Sequence, residues 1–114
     1  MIRRIFYITS IITILALTFA GRHTTLAAGP AGEVKEVKID NFTFTPPTLT
    51  VAVGTQVTWT NRDDIPHTVV TDDKTIKSKV LDTDDKFTFT FDKPGTYSYF
   101  CSLHPKMKGT VVVK

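Results

Sequence analysis

The chain has 114 residues, enough for one domain, and a formal net charge of +3 from 14 basic and 11 acidic side chains. Arg3, Arg4 and Arg22 account for the excess, so the rest of the chain carries 11 of each sign and lacks the clustered basic face that nucleic-acid binding requires. Its single cysteine, Cys101, excludes an intramolecular disulfide.

The chain opens with Arg3 and Arg4, runs apolar from Ile5 to Ala20, and has no acidic residue before Glu33. Positive, then apolar, then small residues is the signature of a secretory signal peptide. The apolar run falls short of the roughly 20 residues a membrane-spanning helix needs. The expected organisation is a leader at residues 1–28, cleaved after Ala20 or near Thr25–Ala28, and one domain at 29–114. Export to the periplasm or another extracytoplasmic space follows. Membrane contact is expected only if the leader is retained as an anchor.

Beyond Gly32 the pattern is β throughout. Val37 and Ile39 alternate with charged residues, and Phe42 and Phe44 follow. Leu49, Val51 and Val53 alternate with Thr50 and Ala52, then Val57 and Trp59 with Thr58 and Thr60. Phe87, Phe89 and Phe91 alternate with threonines, and Tyr97 and Tyr99 flank Ser98. The last run is Thr110–Val113. Such period-two alternation of β-branched and aromatic residues marks half-buried strands. Turn chemistry separates them at Pro46-Pro47, Gly54-Thr55, Asn61–Pro66, Asp92–Gly95 and Gly109. About six to eight short strands at this spacing predict an all-β fold, a two-sheet antiparallel sandwich or a barrel. Residues 71–86 read as a solvated loop with one short strand around Val80-Leu81. Their aspartates lack the spacing of a calcium loop.

Outside the expected leader there remain one cysteine, two histidines and one methionine: Cys101, His67, His104 and Met107. Three of them form a C-x-x-H-x-x-M run, and His67 follows Pro66 in the loop after the Val57–Thr60 strand. Two imidazoles, a thiolate and a weak thioether suit both Cu(I), which prefers soft ligands, and Cu(II), which prefers nitrogen. A metal would also occupy a thiol otherwise left unpaired in an oxidising compartment. The expected ligands of one copper ion are therefore His67, Cys101, His104 and Met107.

The same residues carry a family resemblance. The C-x-x-H-x-x-M run, the preceding Pro94–Cys101 stretch, Pro66-His67 and Gly109–Val113 together resemble the cupredoxins, the type 1 blue-copper family. The short spacing from His104 to Met107 is similar to that of amicyanins; plastocyanins have a longer loop. The resemblance implies an eight-stranded Greek-key sandwich with copper near one end. It also implies that His104 reaches the surface through an apolar patch, with Leu103, Pro105 and Pro66 as its expected parts, where redox partner proteins dock. Thr68 stands where the family commonly has an asparagine tying the ligand loops together; a hydroxyl can supply some of those hydrogen bonds. Leu103 replaces a common proline and leaves the loop less restrained.

The expected function is that of a monomeric single-electron carrier rather than an enzyme. Periplasmic copper binding and delivery is the alternative the same ligands would serve. An oxidase or nitrite reductase needs further histidines, a thiol hydrolase needs an orienting group and a pocket, and an immunoglobulin-like module needs a second cysteine.

Overall fold

The computed structural model describes residues 32–114; the expected leader and the first residues of the domain lie outside them. Eight strands follow in order: β1 (Val34–Asp40), β2 (Thr43–Thr45), β3 (Thr48–Val51), β4 (Thr55–Asn61), β5 (Val70–Thr71), β6 (Lys86–Phe91), β7 (Gly95–Cys101) and β8 (His104–Val113). One four-stranded sheet has the order β2-β1-β4-β6 and the other β3-β8-β7-β5. The all-β sandwich expected from the alternation is present, and each sheet turns one face inward.

Three expectations about local structure are corrected. The sheets are mixed, not antiparallel throughout, because β1 pairs parallel with β4 and β3 parallel with β8. In both pairs the partners are separated along the chain by strands that sit elsewhere, which is the condition a parallel pairing requires. No strand forms at Val80-Leu81. Instead the 72–85 connection touches its neighbours through isolated bridges, His67 to Leu81 and Val70 to Lys77. Gly109 is not a turn: it lies inside β8, opposite Tyr99.

The core is aromatic at its centre. Trp59 on β4 packs against Phe87, Phe91 and Tyr99 with ring centroids at 5.6, 6.2 and 5.5 Å, and Tyr99 meets Phe44 edge-on at 4.7 Å. Val37, Ile39, Val57, Leu81 and Val111 fill the space between the sheets with no exposed surface. On the outer face the cross-strand pair Thr58–Thr88 joins its hydroxyls at 3.1 Å. The glycine at 109 is a packing requirement. A Cβ there would lie 2.4 Å from both Cζ and Oη of Tyr99, inside any tolerable contact.

Two outcomes follow from this core. Gly109→Ala drives a methyl into the Tyr99 ring and is expected to cost about 1–3 kcal/mol in denaturant unfolding, the usual size of overpacking; Tyr99→Val in the same chain should recover part of the loss. Burial pushes the Tyr99 phenol from 10.0 up to about 12, against a smaller opposing effect from the Trp59 side chain. The unfolded chain ionises first, so this contribution to stability is intact below pH 10 and is lost as pH rises towards 12. Unfolding followed across that window should show a decline that Tyr99→Phe lacks.

Candidate metal centre

Asn61, fully buried at the end of β4, organises the loop that carries the first candidate ligand. Its Nδ2 donates to the carbonyls of Ile65 and Leu81 at 2.8 Å each, and its Oδ1 accepts the Asp63 backbone N–H at 2.9 Å. The loop is thereby folded back so that His67 lies alongside Leu81, exchanging two backbone hydrogen bonds of 3.0 and 2.8 Å with it. His67 is completely buried.

A carboxylate sets its orientation. Asp63 Oδ2 lies 2.7 Å from His67 Nε2, and the same carboxylate accepts the backbone N–H groups of Asn41 at 2.6 Å and Phe42 at 3.0 Å. Burial pushes the Asp63 carboxyl up, but the hydrogen bonds from Phe42, His67 and Asn41 outweigh it and hold it below its ordinary value. Nε2–H is therefore assigned as the donor to Asp63, leaving the Nδ1 lone pair free on the opposite side of the ring.

That side faces the other two donors. Cys101 ends β7 and His104 begins β8, so the hairpin itself sets them side by side, with Cys101 paired to His104 in the ladder. Cys101 Sγ lies 3.6 Å from His67 Nδ1 and 3.7 Å from His104 Nδ1, and one donor atom from each of the three residues falls within 4.8 Å of the others. An ion with ordinary bond lengths to nitrogen and thiolate sulfur would space such donors about 3.6–3.8 Å apart. The donor set fits a soft transition metal, and copper by its two imidazoles and one thiolate. Met107 is buried on β8, three positions beyond His104.

Thr68 does what the expected hydroxyl was meant to do. Its backbone N–H and its hydroxyl approach Cys101 Sγ at 3.4 and 3.8 Å. Its oxygen also accepts the Ser102 N–H at 2.8 Å and lies 2.7 Å from the Ser102 hydroxyl. The loops of His67 and Cys101 are thus joined through one side chain.

Two residues at the centre escaped the sequence reading. Phe42, expected within the half-buried strand pattern, is 52% exposed and meets the rings of His104 and His67 edge-on at 5.1 and 5.6 Å. It sits with Asn41 in the two-residue turn between β1 and β2, both at positive φ (56° and 51°). Such a turn suits asparagine and disfavours phenylalanine; the Asp63 carboxylate, bound to both N–H groups, holds it. Asp63 was the second. The only signal available was an acidic residue four positions before a histidine, which is common without function.

A family profile described as a cupredoxin-like domain matches residues 10–113. Amicyanin-alpha of Methylorubrum extorquens is 37% identical over 100 residues, covering 83% of this chain and 83% of its own. Chloroplastic plastocyanin of Tetradesmus obliquus is 33% identical over 108 residues, covering 83% and 74% respectively. Among solved structures, a purple cupredoxin from Nitrosopumilus maritimus superposes with a TM-score of 0.67 at 34% identity, over 69% of this chain and 98% of that one. An oxidised amicyanin variant does so at 0.66 and 34%, over 75% and 85%.

Asp63→Asn keeps the shape but loses the charge that orients the imidazole and anchors the turn. It is expected to weaken Cu(I) binding by about 10–100-fold, the usual effect of removing a partner behind a ligand, as read by competition with a chromophoric chelator.

Proposed function

The chain belongs to the cupredoxin family, and from that premise we propose that it is an exported single-electron carrier with one copper ion held by His67, Cys101, His104 and Met107. The observation that carries this reading is the convergence of the His67, Cys101 and His104 donor atoms within 4.8 Å of one another. Bound there, copper supplies a Cu(I)/Cu(II) couple, one electron per cycle and no proton.

The residues around it serve that chemistry by staying still. His67 is fixed by Asp63 on one nitrogen and by Leu81 along its backbone. Cys101 and His104 are fixed by the β7–β8 ladder, and Thr68 donates to the thiolate sulfur, spreading its charge. A frame held by the protein's own hydrogen bonds is one a metal need not reshape, so little moves when an electron arrives or leaves. Met107 would be the fourth residue to hold the ion, through a thioether whose weak donation would help to set the potential of the couple.

His104, partly exposed, is the route to the surface. Leu103 is 47% exposed and Phe42 52%, and Pro66 and Pro105 are also exposed. We assign this apolar rim as the place where redox partners dock, with Phe42 added to the three residues expected from the sequence. The chain acts as a carrier and not an enzyme in this reading, working outside the cytoplasm as a monomer.

The deciding measurement is a visible spectrum of the domain titrated with Cu(II), beside Cys101→Ser. An intense thiolate-to-copper band, bleached by reductant and lost in the variant, is the expected result. A colourless protein that holds only Cu(I) would overturn electron carriage in favour of copper delivery.

A further inference from the structure

β6 stands at the end of the β2-β1-β4-β6 order, so one of its long sides has no strand beside it among the described residues. Which backbone groups that side presents follows from the bonds on the other. The Asp85 carbonyl accepts the Asn61 N–H at 3.0 Å and the Phe91 carbonyl accepts the Gly54 N–H at 2.6 Å, both towards β4. Polar groups alternate between the two sides of an antiparallel strand. Lys86, Thr88 and Thr90 therefore direct their N–H and C=O groups away from β4, and all three residues are exposed. Their phenylalanine neighbours point into the sandwich, where Phe91 is buried but Phe87 and Phe89 are only half covered.

The sequence here is its own antiparallel complement. Residues 85–93 read Asp-Lys-Phe-Thr-Phe-Thr-Phe-Asp-Lys. Against a second copy running the other way and centred on Phe89, Thr88 meets Thr90, Phe87 meets Phe91, Lys86 meets Asp92 and Asp85 meets Lys93. The outward-facing residues then oppose one another, which is the condition for a hydrogen-bonded ladder. Opposite charges directly across a ladder attract and like charges repel. Centring on Thr88 instead sets Asp84 against Asp92, and centring on Thr90 sets Lys86 against Pro94, which has no N–H to give. A parallel pair in register places lysine on lysine and aspartate on aspartate. Among the described residues Lys86, Asp92 and Lys93 take part in no ion pair, so their charges are free to meet a partner's.

We propose that β6 is a self-recognition edge, along which two copies of this chain join antiparallel with Phe89 facing Phe89 on the two-fold axis. The two four-stranded sheets become one, and the half-covered Phe87 and Phe89 rings gain the aromatic row of the second copy. Lys86 lies opposite Thr60, one residue from Asn61 and the metal end. An antiparallel pair therefore holds its two metal ends at opposite extremes and leaves both His104 rims open. The single chain remains the carrier unit, and the pair is the form it takes as concentration rises. Nothing in this pairing depends on which metal is bound.

Sedimentation equilibrium of the Cu(I) protein from about 10 μM to about 1 mM should show a reversible monomer–dimer equilibrium. Over the same range amide exchange should slow at Lys86, Thr88 and Thr90, whose N–H groups face outward. Thr90→Pro removes one of these N–H groups, a change that an edge strand tolerates; it should abolish the dimer while the amide spectrum stays native. Lys86→Asp should weaken association at least about tenfold, by setting aspartate against Asp92 at both ends of the ladder. The exchange Lys86→Asp/Asp92→Lys should restore it. A monomer throughout the range, a dimer indifferent to Thr90→Pro, or a charge exchange that restores nothing would each overturn the proposal. So would loss of the dimer in Leu103→Asp, which would place the contact at the His104 rim, and growth beyond the dimer, which a single shared edge does not permit.

Discussion

The Asp63 carboxylate accepts hydrogen bonds from an imidazole and from two backbone N–H groups lying 21 and 22 residues earlier in the chain. Most of what is distinctive at the metal end depends on it. Without it the β1–β2 turn would have no partner for its two N–H groups, and Phe42 would have no reason to endure a left-handed backbone. His67 would lose the group that decides which of its nitrogens faces Cys101. A half-buried carboxylate is costly unless it is well bonded, and here hydrogen bonding prevails over burial. Charge-assisted bonds of this kind are roughly twice as strong as neutral ones.

The sheets supply the rest of the rigidity. Cys101 and His104 need no special loop, because they are the last and first residues of adjacent strands. The same ladder continues to the Tyr99–Gly109 pair, where a missing side chain leaves the space that the Tyr99 ring occupies. Core packing and ligand placement are therefore successive positions of one hairpin. A change that pushes β8 away from β7 at Gly109 acts on the site only a few residues further along.

What the amino-acid order reveals, and what it conceals, divides by distance along the chain. Period-two runs such as Phe87–Phe91 announce strands because each residue's face depends on its immediate neighbours. Cys101, His104 and Met107 were legible because they fall within one short run, and His67 because it was the only other imidazole in the domain. The parallel pairings of β1 with β4 and of β3 with β8 were not, since local alternation is the same whichever strand lies alongside. Gly109 looked like a turn because a glycine in a strand has no local explanation; its reason is a ring ten residues away. Phe42 fitted the alternation and was still misplaced, because the turn that turns it outward is enforced by a carboxylate on another loop. Thr68 was the opposite case: an unusual residue at a known position, whose substitute bonding could be foreseen from its hydroxyl.

β6 lies at the margin of its sheet. The other three marginal strands, β2, β3 and β5, have three, four and two residues, too short to template another chain, whereas β6 has six. Its sequence, Lys-Phe-Thr-Phe-Thr-Phe, combines high β-propensity with a single charge. Unpaired N–H and C=O groups along such a border are where a second molecule can add a strand. The segment that completes the aromatic core is thus also the one that self-association and fibrillar stacking would use, and its electrostatic guards are Lys86 and the flanking Asp85 and Asp92.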